Sequence, residues 1–118
     1  MERNWDMILC ALDTAYEAKG TVPITPEKVE ERFGPHSMRL FNYNVRLLVE
    51  HGLLKGSSGL GGACCIEQLT WEGHAFRENL LNPTILKVAQ KVSDVAFPTV
   101  IQAVLTAGIE FVRKTAGF

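Results

Sequence analysis

One stretch, Ser37 to Phe76, limits the fold of this 118-residue chain more than any other. Met38 to His51 carries apolar residues at helical spacing, and Gly52 stops the run. Leu53-Leu54-Lys55 follows as a short apolar strand. Gly56 to Gly62 is a glycine-serine tip, and Ala63 to Leu69 reads as the return strand. A second helix opens at Thr70-Trp71-Glu72-Gly73. The order is helix, hairpin, helix. The return strand alternates too irregularly to say which of Cys64 and Cys65 is buried.

The upstream residues complete the pattern. A first helix is expected over Trp5 to Lys19, with Trp5, Ile8, Leu9, Leu12 and Tyr16 on one face. Asn4 suits its N-cap, because the side-chain oxygen can accept a free first-turn N–H. Gly20 suits its end, since glycine tolerates positive φ. Thr21 to Ile24 is short and partly β-branched, and Pro23 confines it to a sheet edge. Thr25-Pro26-Glu27 punctuates the start of a second helix, and Gly34-Pro35 ends it. Val29 and Phe33 should face inward there. Ser37 is the expected cap of the third helix, whose buried stripe is Phe41, Val45 and Leu48. Two short helices joined by a tight turn and followed by a hairpin predict a winged helix-turn-helix.

Downstream, Thr70 should cap the fourth helix. Gly73 inside that helix costs about 1 kcal/mol relative to alanine, which points to close packing against another backbone. A fifth helix is expected from Thr84 to about Ala96, with Ile85, Val88, Ala89 and Val92 on its apolar side. Pro98 starts a sixth helix that runs to about Thr115 and is apolar around most of its circumference. Such a helix is central in a fold or covered by a partner. The expectation is a mainly α fold with a small β-hairpin, a winged domain over 1–81 and a two-helix extension over 82–118. The extension would pair two subunits as a homodimer through Ile101, Val104, Leu105, Phe111 and Val112.

Charge narrows the function. The formal net charge is -1, so a protein that coats nucleic acid by bulk basicity is excluded, while a local basic patch is not. Three cysteines, an odd number, form no disulfide framework and favour a reducing cytoplasm. The N-terminus lacks the build of a signal peptide, and no run of about 18 apolar residues supports a membrane span.

The outward face of the third helix carries Arg39, Asn42, Tyr43 and Arg46. Arginine reads guanine, asparagine reads adenine, and all four types contact phosphates. With Lys55 and against Glu50, the segment has a local excess of +2. A solvated helix face explains the same residues equally well, and the glutamates of helix two oppose the positive field. Other chemistries have less support. Adjacent Cys64-Cys65 with His51 and His74 lacks zinc-site spacing, so small buried hydrophobes are the better reading and no metal or cofactor is expected. Glu72 and His74 fall on different helix faces, and no Gly-Lys-Ser/Thr follows the wing glycines. An enzyme is not expected. The sixth helix lacks the basic polar face of a membrane-surface helix.

Tyr43 to Leu54 resembles the "Y-H-I-K-L-L-I-E-A-G-L-I" run of an uncharacterised bacterial and prophage family. Leu69-Thr70-Trp71-Glu72-Gly73-His74-Ala75-Phe76 resembles that family's "L-T-W-E-G-H-x-F" signature. The opening Arg3 to Ile8 and the segment Asn82 to Ile85 are similar to its start and its "N/D-D-T-V/I-W" run, with Leu86 in place of the tryptophan. More distantly, the first two runs resemble winged-helix transcription regulators. The resemblance implies a winged-helix fold and a phage or prophage setting, and it carries over no catalytic or binding residue. The leading expectation is a cytoplasmic protein that binds double-stranded DNA, as a phage or prophage transcription regulator. The alternative is an interaction module without DNA that binds or inhibits a host protein complex.

Overall fold

The computed structural model describes residues 3–58, 64–91 and 95–116, with side chains described over 3–57, 64–91 and 95–107. The chain is mainly helical with one small antiparallel sheet. It divides into two compact units, Met1–Gly73 and His74–Phe118.

The first unit begins with α1 (Trp5–Glu17). Asn4 is its N-cap, and the side-chain oxygen accepts the Met7 N–H at 3.1 Å. Met7, Ile8, Ala11, Leu12 and Ala15 form the buried stripe. Two expectations are corrected here. The helix ends at Glu17 with Ala18 extended, so Gly20 does not cap it. Tyr16 is exposed, because it falls off the edge of the stripe that Ala15 occupies.

Strand β1 (Val22–Ile24) lies at a sheet edge, as Pro23 requires. Helix α2 (Pro26–Phe33) is capped by Thr25 and ends at Gly34, whose φ of 100° suits glycine. Helix α3 (Met38–Glu50) buries Met38, Phe41, Val45 and Leu48. Ser37 precedes it but makes no side-chain cap bond. Its backbone is already helical, and its hydroxyl donates to the Gly34 carbonyl at 2.7 Å.

The end of α3 is closed by two backbone bonds. Gly52 N–H donates to Val49 O at 3.2 Å, and Leu53 N–H reaches back to Leu48 O at 2.9 Å. Gly52 has φ 73°, the left-handed position this closure needs. The chain then enters β2 (Leu54–Ser58), which pairs with β3 (Cys64–Leu69). The strand order is β1-β3-β2, all antiparallel. Strand β2 runs further than Lys55, through part of the stretch expected as a loop tip. The rest of that tip, with Leu60, lies outside the described residues. The register slips at Lys55/Gly56, and Gly56 is required there. A Cβ at that position would stand 2.5 Å from the Cys65 carbonyl oxygen.

Helix α4 (Trp71–Leu80) is capped by Thr70, whose hydroxyl oxygen accepts the Gly73 N–H at 3.1 Å. The same hydroxyl donates to the Gly52 carbonyl, and Thr70 N–H donates to Leu53 O at 3.2 Å. The end of α3 and the start of α4 are therefore tied across the root of the hairpin. Gly73 packs against the Leu53 backbone, as its place inside a helix predicts.

The second unit holds α4 from His74 onward, α5 (Pro83–Lys91) and α6 (Phe97–Ala116). Asn82 accepts the Thr84 N–H at 2.9 Å through its side-chain oxygen. Helix α5 is described as far as Lys91, and residues 95–96 are not helical, so the helix does not reach Ala96. Ile85 and Ala89 are buried, but Val88 is exposed, and Val92 lies outside the described residues. Helix α6 starts one residue before Pro98, with Phe97 packed edge-on to Phe76 at 6.2 Å between ring centres. The Asn79 side chain donates to the Val104 carbonyl at 3.2 Å.

Candidate functional site

Helix α3 exposes part of the polar face expected of it, and the Asn42 side-chain oxygen is buried. Residues 39, 42, 43 and 46 are three, four and seven apart, which places them on one side of a helix. Arg39 and Arg46 are exposed, while Asn42 and Tyr43 are half-buried at its margin. Phe41, Val45 and Leu48 anchor the other side in the core. Lys55 is exposed on β2, the strand that packs against α3. The arrangement thus holds two guanidinium groups in water on a helix fixed from behind.

Asn44 is a main source of that fixation, and it is absent from the expected buried stripe. It is fully buried on α3. Its side-chain oxygen accepts the Asn4 N–H at 2.8 Å, and its amide nitrogen donates to Leu40 O at 2.9 Å. One side chain therefore joins the capping residue of α1 to the middle of α3. A polar residue at a core position in the i, i+3, i+4 pattern was the available signal, since such groups are buried only when bonded.

A second missed feature is Trp71. It is 86% exposed at the first turn of α4, whereas the flanking signature residues Leu69 and Phe76 are buried. Glu72 and His74 are exposed.

Of the three cysteines only Cys64 is packed as a small apolar residue, while Cys10 and Cys65 are half-buried. Cys64 is fully buried on β3, and burial pushes its thiol up to about 11, with a further rise from Cys65 beside it. Burial also raises the Cys10 thiol, against the opposing pull of the Arg32 cation. No group of three or more His, Cys, Asp or Glu side chains among the described residues is arranged to hold a metal ion. No helix of the described residues is long and apolar enough to cross a membrane.

The expected partner face of α6 divides. Ile101 and Val104 are buried within the single chain and Leu105 is half-buried, so the first two offer little surface to a second subunit. The side chains of Phe111 and Val112 lie outside the described residues.

These features define a small, mainly helical protein with a three-stranded sheet and an arginine-bearing third helix. The chain belongs to the family described as "Hypothetical protein (DUF2513)", whose profile matches residues 2–98. A relative from Haemophilus influenzae (strain ATCC 51907 / DSM 11121 / KW20 / Rd), described as "Uncharacterized protein", is 30% identical over 91 residues. The match covers 72% of this chain and 72% of the relative. No solved structure matches the chain.

Proposed function

We propose that this protein is a winged helix-turn-helix that binds double-stranded DNA, with α3 as the element that enters the groove, and that it acts as a phage or prophage transcription regulator. The reading is carried by the face of α3. Arg39 and Arg46 stand free of the core on one side, and a continuous apolar stripe holds the other side down. The element order α1-β1-α2-α3-β2-β3 supports it, because a hairpin directly after the second helix of the pair would flank the groove. Arg39 and Arg46 contact phosphates or guanine edges, Asn42 and Tyr43 add hydrogen bonds, and Lys55 meets the backbone beside the groove. In this reading the protein is a cytoplasmic homodimer without catalytic activity or cofactor, paired through α6.

The test is binding to a pool of short genomic duplexes at low and moderate salt. Affinity should fall with salt, and each arginine removed should lower the slope by about 1. If Arg39→Ala with Arg46→Ala left both affinity and salt slope unchanged, α3 would not be the binding element.

One observation favours a second reading, an interaction module that binds or inhibits a host protein complex. Trp71 exposes nearly its whole side chain, and tryptophan is enriched where protein partners dock. A complex from host lysate that survives nuclease and is lost in Trp71→Ala would support it.

A further inference from the structure

The first unit contains a cavity of about 160 Å³ beside α2. Its apolar wall is Val29 and Phe33 from α2, Phe41 from α3 and Ile24 from β1. The two phenyl rings lie 6.1 Å apart and tilted by 32°. Lys28 and Arg32 complete the lining together with Cys10 of α1.

The two cations are the unusual part. They are four residues apart, so they share a face of α2, and a like-charge pair at that spacing costs helix stability. Lys28 and Arg32 are exposed at the mouth of the cavity; the carboxylates of the same helix, Glu27, Glu30 and Glu31, are exposed as well, but none lines it. Among the described residues neither Lys28 nor Arg32 forms an ion pair. Arg32 instead donates through Nη1 to the Cys10 sulfur at 3.3 Å and lies over the Phe33 ring at 5.4 Å. A thiol sulfur is a weak acceptor for a guanidinium that carries five donors in a fork suited to a carboxylate. An enclosed apolar cavity of about 150 Å³ holds benzene; this one has a similar volume but opens to solvent on the side of Lys28 and Arg32.

We propose that this cavity binds a small aromatic carboxylate. Its ring lies against Phe33, Phe41 and Val29, and its carboxylate takes the Arg32 fork and the Lys28 ammonium. The apolar wall supplies burial, and the two cations supply orientation and selection for charge. Nothing in this assignment depends on whether α3 binds DNA.

The probe is benzoate, titrated by calorimetry against the whole protein, with benzamide and inorganic phosphate as comparisons. The expected result is saturable benzoate binding with half-saturation below about 1 mM. Benzamide, of the same shape without charge, should bind at least about tenfold more weakly, as should phosphate, which has charge without a ring. Arg32→Gln should weaken benzoate at least about tenfold and Lys28→Gln by less, because only arginine offers the two-pronged bond. Glu31→Gln, off the cavity, should leave binding unchanged. Circular dichroism of each variant keeps a folding defect separate from a binding defect. The proposal is overturned if benzoate does not saturate, if phosphate or benzamide matches it, or if folded Arg32→Gln binds it as well as the natural protein does.

Discussion

Replacing Gly73 with alanine tests the packing of the hairpin root most directly. Helix propensity alone makes the substitution favourable by about 1 kcal/mol. The structure reverses the sign. An added Cβ would stand 1.8 Å from the Leu53 carbonyl oxygen, 2.9 Å from its carbon and 3.3 Å from Leu69 Cδ2. The first two atoms are backbone, and Leu53 is held on both sides. Its N–H donates to Leu48 O, and its carbonyl accepts the Thr70 N–H. Relief requires the start of α4 to move away, which strains the packing by about 1–3 kcal/mol. It also weakens the Thr70 bond, worth about 1 kcal/mol. Net destabilisation of about 2 kcal/mol is expected once the propensity gain is deducted. Urea unfolding reads it as a lower midpoint at unchanged slope. Ala75→Gly, at an exposed position of the same helix, calibrates the propensity contribution at about 1 kcal/mol of loss. A Gly73→Ala protein as stable as the natural one, or more stable, would refute the close approach.

Two further outcomes follow from bonds and burial. Asn44→Ala leaves the Asn4 N–H without its acceptor and should cost about 2 kcal/mol by chemical denaturation, and a loss under about 0.5 kcal/mol would show that the bond contributes little. The Cys64 thiol titrates near 11 in the folded protein against an ordinary 9.0, so the native state holds its proton more tightly. Its contribution to stability is complete below pH 9 and is lost as pH rises towards 11. Unfolding midpoints should fall across that window, and the fall should shrink in Cys64→Ala. An unchanged fall in the variant would place its origin elsewhere.

Local signals were read accurately where one residue type has one physical use. Asn4, Thr25 and Thr70 cap because their side chains can accept first-turn N–H groups, and all three do so. Gly52 and Gly73 were legible for different reasons: one needs positive φ, the other needs the absence of a side chain. Failures came where tertiary context decides. Ser37 has the right type for a cap, but the sharp turn after Gly34 already holds its hydroxyl. Periodicity placed Tyr16 on the apolar face, yet the nearby core position is filled by Ala15. Buried Asn44 escaped because pattern reading sorts residues into apolar and polar before asking what a polar residue could bond. The Arg32–Cys10 contact joins residues from two helices, which no spacing rule connects. The exposure of Arg39 and Arg46 was legible because they share one helix face, whereas the half-burial of Asn42 and Tyr43 was not. The cavity beside α2 was not, because four separate elements line it.

The two ties that hold α3 differ in how much chain they enclose. Thr70 meets Gly52 across 18 residues, and Asn4 meets Asn44 across 40. The entropy of closing a loop rises with its length, so the shorter loop is the cheaper nucleus for folding. The hairpin root can therefore form as a local unit from α3 through the start of α4, before the N-terminal helix docks. Damage at Thr70 should then slow folding, whereas damage at Asn44 should chiefly hasten unfolding.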